Sequence, residues 1–214
     1  AEQAPLSCTR LVEIFMQAGG PPGVFNLVNG FGPEAGRALA LHPDVIKLSF
    51  TGSTAVGKLL LGYAGQSNMK RVALETGGKS PQIFLSDLYD LDAAVDRAVG
   101  GIFDNAGQVC NAGSRLLVQR DIHDEFVKRF MARAAAAYRP GDPLDPATTL
   151  GPLASHAHQR SVLARIVRGQ SEGAQLVMGG GSQGPGASGA YVEPALFTGA
   201  TSQIVLTAST TGAG

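Results

Sequence analysis

Cysteine, excess charge and long apolar runs are all scarce in this sequence. Its 214 residues include only two cysteines, Cys8 and Cys110, and basic and acidic residues number 17 each, so the net charge is zero. Two cysteines without a disulfide framework indicate reduced thiols and a cytoplasmic setting. The charge balance predicts no nucleic-acid partner. Because no apolar run approaches the roughly 18 residues that span a bilayer, no membrane partner is expected either.

Hydrophobic residues, by contrast, are plentiful. They make up 44% of the sequence and charged residues 16%, which is typical of a globular protein with a sizeable core. The length suits one large domain or parts of two. Residues 1–5 resemble the middle of a loop, and residues 203–214 are small and polar without periodicity. We therefore expect an internal fragment that ends in a disordered tail.

Helices and strands alternate through the first 75 residues. Apolar strands joined by helices predict an α/β fold whose parallel sheet is covered on both faces. Ligands bind such sheets at the carboxyl ends of the strands. The predicted order is helix 5–18, buried strand 24–28, helix 34–41, buried strand 45–50, helix 54–63 and strand 70–74.

A second run of elements follows a glycine pair, Gly77-Gly78, where we place a domain boundary. Polar caps and helical spacing of apolar residues define its helices, with Ser155 as the N-cap of the last one. The predicted order is strand 82–85, helix 91–103, strand 115–118, helix 122–138, helix 155–172, strand 176–178 and an extended segment 191–197.

The turn that follows strand 45–50 is a candidate phosphate site. Gly52 permits a tight turn, and Ser53 opens the next helix, where backbone N–H groups and the helix dipole favour an anion. The alternative is an ordinary strand-to-helix turn in which a serine or threonine caps the helix. The residues alone leave both interpretations open.

Glu75 and Cys110 are the candidates for a base and a nucleophile. Glu75 ends an apolar strand, where burial would raise its pKa, although a carboxylate that ends a strand in solvent is the commoner case. Cys110 lies in a loop of small residues, and the alternative for it is a buried structural thiol. Cys8, on a helix among apolar neighbours, fits that structural alternative.

Other polar residues point to no metal centre. His156 and His158 are two apart on a helix and therefore face different directions, and no cysteine or carboxylate completes a ligand set. Lys79 and Arg115 are interpreted as structural or exposed residues.

Four phrases of the sequence resemble the aldehyde dehydrogenase superfamily. LETGGKSP at residues 74–81 resembles its glutamate signature, and FDNAGQVCNAGSR at 103–115 resembles its cysteine signature. FTGST at 50–54 and YVEP at 191–194 are family phrases in the family's order. The resemblance covers about residues 1–202. YAGQSNMKRV and PGDPLDP, at 63–72 and 140–146, are similar to members acting on γ-glutamyl-γ-aminobutyraldehyde and related aminoaldehydes, which implies a role in polyamine catabolism.

This resemblance implies an NAD(P)-dependent oxidation of an aldehyde to a carboxylic acid. Cys110 would attack the carbonyl as a thiolate, and its backbone N–H would help to hold the oxyanion. Glu75 would then activate the water that hydrolyses the thioester. Glu2 would bind the adenosine ribose and favour NAD over NADP. The remaining residues implied to bind the cofactor are Gly32, Gly36, Gly52, Ser53, Val56 and Gly77.

The family also implies how the chain is organised. Residues 1–76 would form the carboxyl-terminal part of a Rossmann-type nucleotide-binding domain, and residues 77–202 the amino-terminal part of an α/β catalytic domain, both truncated. Family members form homo-oligomers, but the strand by which they dimerise is not in this sequence. We therefore expect unpaired strands and little or no turnover from this chain alone. The alternatives are a chain without catalysis and a dehydrogenase that transfers the acyl group to CoA.

Overall fold

The computed structural model describes residues 2–182, 184 and 189–200. The chain divides into two units, Ala1–Thr76 and Gly77–Gly214, each with its own pair of parallel strands. The tail predicted at 203–214 lies outside the described residues.

The first unit is built around one parallel strand pair. Its elements are α1 (Leu6–Gln17), a π-helical turn (Gly32–Gly36), α2 (Arg37–Leu41), β1 (Lys47–Gly52), α3 (Thr54–Gln66) and β2 (Arg71–Thr76). The parallel pairing predicted from the sequence is confirmed, with Phe50 opposite Leu74. Gly57 of α3 is buried, and a Cβ there would lie 3.2 Å from Leu74 Cδ1. The absence of a side chain therefore lets α3 pack closely on β2.

A buried lysine links the start of β2 to two helices of this unit. Lys70 is only 6% exposed, and its Nζ donates hydrogen bonds of 2.6 Å to the carbonyl oxygen of Ala40 and to Oγ of Ser67. Buried amines need such partners, because an unsatisfied donor costs free energy. These bonds tie the start of β2 to α2 and to the end of α3.

The predictions for residues 24–28 and for Cys8 are wrong. Residues 24–28 form no strand, and their apolar side chains are exposed, including Val24 at 72% and Val28 at 63%. A strand needs a hydrogen-bonded neighbour, and no described strand pairs with these residues. Cys8 is exposed rather than structural and buried. Its helix, α1, buries none of its residues, since the apolar stripe of α1 has no covering layer among the described residues.

The second unit contains a parallel pair and an antiparallel pair. Its elements are β3 (Pro81–Phe84), α4 (Leu91–Phe103), a short 3₁₀ turn (Asp104–Gly107), β4 (Arg115–Val118), α5 (Arg120–Ala137), α6 (His156–Ser171), β5 (Gln175–Met178) and β6 (Leu196–Thr198). β3 pairs with β4 in parallel, and β5 pairs with β6 in antiparallel orientation. The α4 and α6 predictions are confirmed, with Asp90 and Ser155 as N-caps.

The main hydrophobic core of the second unit lies between β3 and the helices α4 and α5. Phe126 and Phe130 of α5 are at most 1% exposed, and the Phe126 ring lies 4.6 Å from that of Phe84, between centroids. Val95 and Val99 bring α4 into the same cluster. A second cluster holds α6 against the strands through Leu153, Val162, Ile166 and Ala190, with Leu176 and Phe197 packed on it.

Two exposed ion pairs link α4 to α5. Arg129 lies 2.8 Å from Asp92, and Arg133 lies 2.6 Å from Asp96, measured between nitrogen and oxygen. From the first pair to the second, the position on α4 increases by four residues and so does the position on α5. The two helices therefore run in the same direction. Helices that connect successive parallel strands are expected to do so.

The prediction that helices cover both faces of the sheet is wrong for the described residues. Phe84 faces the core, but Ile83 and Leu117 are 63% and 46% exposed. Residues of β1 and β2 alternate between exposed and half-buried. In the second unit, the core cluster brings α4 and α5 to one face of β3 and β4. Because side chains alternate across a strand, the other face keeps its apolar residues in contact with solvent.

Candidate active site

The turn between β1 and α3 places a buried hydroxyl at a helix N-terminus. Ser53 is 8% exposed, directly follows β1 and is the N-cap of α3. Its Oγ accepts a hydrogen bond of 3.0 Å from the backbone N–H of Val56. Gly52 supplies the last residue of β1. The cap uses one of the first-turn N–H groups, and the positive end of the helix dipole remains a favourable place for an anion.

Glu2 and Gly32, both expected to bind the cofactor, contact each other although they are 30 positions apart in the chain. Glu2 Oε1 accepts a hydrogen bond of 3.0 Å from the backbone N–H of Gly32, in the π-helical turn that ends at Gly36. Hydrogen bonds from its own backbone N–H and from that of Gly32 lower the pKa of Glu2. A carboxylate held in this way is ionised at neutral pH and can accept hydrogen bonds from hydroxyl groups.

Glu75 lies on β2, opposite Thr51 of β1, and its side chain is exposed. The residues alone favour this exposed position over a buried one, and residues 75–78 are all exposed where the strand ends. The first unit ends one residue later, and Gly77 opens the second unit.

Cys110 lies in a turn between α4 and β4, as the sequence predicts, and it is exposed, so the alternative of a buried structural thiol is wrong. The N–H of Ala112 donates a hydrogen bond of 3.1 Å to the carbonyl of Val109, which closes the turn around the thiol. Exposure leaves the sulfur accessible to a reagent or substrate, which a nucleophilic thiol requires.

The backbone before this turn has an unusual conformation. Asn105, Ala106 and Gly107 all have positive φ, at 52°, 54° and 71°. The left-handed region costs a residue with a Cβ about 1–2 kcal/mol, so surrounding contacts must hold Ala106 there. Ala106 packs against the second hydrophobic cluster. Gln108 holds the adjoining backbone: its N–H donates to the Asn105 carbonyl at 3.1 Å, and its Oε1 accepts from the N–H of Ala154 at 3.1 Å.

The backbone after the turn is held by a residue that the sequence interpretation missed. Gln82 Nε2 donates hydrogen bonds to the carbonyls of Gly113, at 2.8 Å, and Ala98, at 3.2 Å. The N–H of Gly113 in turn donates to the carbonyl of Gly101 at 2.8 Å. The one signal that could have identified Gln82 is a polar side chain inside an otherwise apolar strand.

Lys79, two residues after Gly77, has a pKa that is strongly shifted by its surroundings. Burial, and to a smaller extent the neighbouring Arg165 guanidinium, lowers the pKa of Lys79 from 10.5 to about 8. The expectation that Lys79 is structural agrees with its partial burial.

Replacing Lys79 with methionine is expected to stabilise the protein in a pH-dependent manner. Below pH 8 the lysine is charged in both states, so the full cost of burying the charge, about 1–3 kcal/mol, is present. Between pH 8 and 10.5 the folded state binds fewer protons than the unfolded state, so wild-type stability rises. The advantage of Lys79→Met in urea unfolding should therefore shrink as pH rises from 7 to 10.

Lys128→Met is the matched control, since Lys128 is exposed on α5. It should change the free energy of unfolding by less than about 0.5 kcal/mol at either pH. Two results would contradict a lowered Lys79 pKa in the folded state. One is an equal effect of the two substitutions, and the other is a Lys79→Met effect that does not vary with pH.

Comparison with known proteins assigns the chain to a family. The model of the aldehyde dehydrogenase family matches residues 1–209. The chain belongs to this family. It is 48% identical to the mitochondrial aldehyde dehydrogenase of Mesocricetus auratus over 197 residues, which are 92% of the chain and 39% of that relative. It is also 48% identical to retinal dehydrogenase 2 of Mus musculus over 201 residues, 94% of the chain and 38% of that relative.

Solved aldehyde dehydrogenase structures share the fold. An indole-3-acetaldehyde dehydrogenase in complex with NAD+ superposes with a TM-score of 0.93 at 46% identity, over 96% of this chain and 41% of the other. A γ-glutamyl-γ-aminobutyraldehyde dehydrogenase from Burkholderia cenocepacia J2315 gives 0.88 at 49% identity, over 92% and 39%. The predicted aldehyde dehydrogenase-like α/β fold is confirmed. The chain spans about two fifths of the length of these relatives.

The last observations on this aldehyde dehydrogenase family chain concern metal ligands, membrane spans and the cell compartment. No cluster of three or more potential metal ligands occurs in the described residues, which include His156 and His158. Among the same residues, no helix combines the length and apolar character of a membrane span. The relatives include mitochondrial and cytosolic proteins, so family membership does not determine the compartment.

Proposed function

We propose that this protein oxidises an aldehyde to a carboxylic acid with NAD(P)+, using Cys110 as the nucleophile. The observation that supports this most directly is an exposed thiol in a turn that is tethered on both sides, within a chain of the aldehyde dehydrogenase family. A tethered turn limits the motion of the sulfur, and a fixed nucleophile lowers the entropic part of a reaction barrier.

Cys110 carries out the first chemical step in this proposal. Its thiolate attacks the carbonyl carbon, and the resulting oxyanion is stabilised by the backbone N–H of Cys110. The tetrahedral adduct is a hemithioacetal. Loss of a hydride from its carbon leaves a thioester on the sulfur. When bound, NAD(P)+ supplies the acceptor for that hydride.

Glu75 acts in the second step. Its carboxylate takes a proton from water, and the resulting hydroxide attacks the thioester carbon. The C–S bond breaks, the acid is released and the thiolate of Cys110 is restored. The exposure of Glu75 at the end of β2 suits this role, because a general base for hydrolysis must have access to water.

The residues of the first unit fit a dinucleotide. Ser53 and the first turn of α3 provide hydrogen-bond donors suited to a pyrophosphate, with Gly52 and Val56 beside them. Glu2, ionised and held by Gly32, provides acceptors suited to ribose hydroxyls. This donor and acceptor set favours a 2′-hydroxyl over a 2′-phosphate, because a carboxylate repels phosphate. Two further glycines are assigned to the cofactor, Gly36 beside the adenosine and Gly77 beside the nicotinamide.

We assign the substrate to γ-glutamyl-γ-aminobutyraldehyde or a similar aminoaldehyde. The support is the 49% identity to the Burkholderia cenocepacia enzyme of that name, together with the phrases at residues 63–72 and 140–146. This substrate would place the protein in cytoplasmic polyamine catabolism.

The proposal predicts that Glu75→Gln separates the two chemical steps. In the complete protein, mixing with NAD+ and γ-glutamyl-γ-aminobutyraldehyde should give a stoichiometric burst of NADH absorbance in both forms. The steady-state rate of the variant should fall about 10²-fold, because it lacks the base that activates water. Stopped-flow absorbance measures both phases.

Glu13→Gln provides a matched control, since Glu13 is an exposed carboxylate on α1 of the same unit. It should leave both phases unchanged. Absence of NADH formation with any aldehyde contradicts the proposed function. Turnover that depends on added CoA would contradict hydrolysis as the second step.

A further inference from the structure

We propose that Gln82 is a positioning residue that holds the Cys110 turn against helix α4. Gln82 contacts neither Cys110 nor Glu75 in its own hydrogen bonds; it acts on the backbone that follows the thiol. The consequence for catalysis rests on the proposed role of Cys110, whereas the holding of the turn does not.

The two hydrogen bonds of one amide group span two elements. Gln82 lies on β3, and its Nε2 donates to Ala98, inside α4, and to Gly113, three residues after Cys110. The Gly113 backbone is buried. Its carbonyl needs a partner, because an unsatisfied buried acceptor costs free energy. Gln82, on β3, supplies that partner.

The glycines around this amide leave room for it. A Cβ on Gly113 would lie 2.4 Å from Gln82 Nε2, and a Cβ on Gly101 would lie 3.3 Å from the same atom. Gly101 and Gly113 are themselves joined by a backbone hydrogen bond of 2.8 Å. The amide is thus enclosed by two backbones that approach it closely, and Gly113 is fixed through both its N–H and its carbonyl.

The turn is therefore tethered by a glutamine on each side. Gln108 fixes the backbone before Cys110 through Asn105 and Ala154, and Gln82 fixes the backbone after it. Without Gln82, the carbonyl of Gly113 would lose its side-chain partner, and the hydrogen bond from its N–H to Gly101 would have to hold the segment. The segment would then sample more conformations, and the sulfur would occupy its reactive position less often.

Gln82→Leu tests this inference, since leucine has similar bulk and no hydrogen-bond donor. Amide hydrogen exchange of residues 105–114 should become about tenfold faster in the complete protein. With aldehyde and NAD+, kcat should fall about tenfold, while KM should change by less than about threefold. Gln82→Asn, which is too short to reach both carbonyls, should give a smaller change in the same direction. It also replaces Gln82→Leu if that variant does not fold.

Gln119→Leu is the matched control at the opposite end of the same strand pair. Gln119 Oε1 accepts a hydrogen bond of 2.8 Å from the N–H of Ser86, so its removal should change exchange near residue 86 and not at 105–114. Unchanged exchange at 105–114 in folded Gln82 variants overturns the inference, and so does faster exchange with unchanged kcat. If the wild-type protein oxidises no aldehyde, the proposed function fails, and hydrogen exchange alone then decides whether Gln82 holds the turn.

Discussion

Cys110→Ser is expected to lower kcat/KM for aldehyde oxidation by about 10⁴-fold, the loss typical of removing a catalytic nucleophile. A hydroxyl has nearly the shape of a thiol but forms far less of the anionic nucleophile at neutral pH. Because Cys110 is exposed in a turn, the substitution should leave folding intact. The measurement is the rate of NADH formation, together with circular dichroism to confirm the fold.

Cys8→Ser is the control for this experiment. Cys8 is the other exposed thiol, on α1 in the first unit, and its replacement should leave activity within a factor of two or so. The nucleophile assignment fails if Cys110→Ser keeps more than a tenth of wild-type activity, or if both serine variants lose activity equally.

Phe126→Ala is expected to destabilise the second unit by about 3–5 kcal/mol. Phe126 is fully buried and packs against the rings of Phe84 and Phe130, with centroids 4.6 and 6.2 Å away. Truncation removes the buried area and leaves a cavity between β3 and α5. Urea unfolding followed by circular dichroism measures the loss.

The matched control is Tyr89→Ala, which removes an aromatic ring from a fully exposed position in the same unit. Its effect should stay within about 0.5 kcal/mol. A loss below about 1 kcal/mol for Phe126→Ala would show that this cluster is not the core of the unit.

Helices with strong local signals were the most predictable elements. The bounds 91–103 agree with α4 because the apolar residues recur at helical spacing and the Asp90 carboxylate accepts a bond of 3.0 Å from the Ala93 N–H. Ser155 behaves in the same way at the start of α6. Capping and periodicity involve neighbours in the sequence, so a single sequence contains them.

Features that depend on distant partners could not be predicted. Residues 24–28 have the composition of a buried strand but no described strand beside them. The exposure of Glu75 agrees with the case that the residues alone favour, but they leave burial open because it depends on what packs over the end of β2. The local sequence determines how readily a segment forms a strand. Its pairing and burial depend on the tertiary structure.

For the candidate site, the sequence suggests reactive groups but not the contacts that hold them. The two signatures identify Cys110 and Glu75 as candidates through resemblance. The left-handed conformation of Ala106 and the bonds of Gln82 gave no such signal. Alanine rarely adopts positive φ, and a glutamine in a strand is usually solvated. Both features arise from contacts between segments that lie far apart in the sequence.

The two ion pairs between α4 and α5 have a consequence for alignment rather than for stability. Exposed pairs such as Arg129 with Asp92 add little to the free energy of folding. Both pairs nevertheless join residues that are 37 positions apart. Sliding one helix along the other by a turn would preserve at most one of the two contacts. Charge placement on this surface therefore distinguishes the native alignment of the helices from the alignment shifted by one turn.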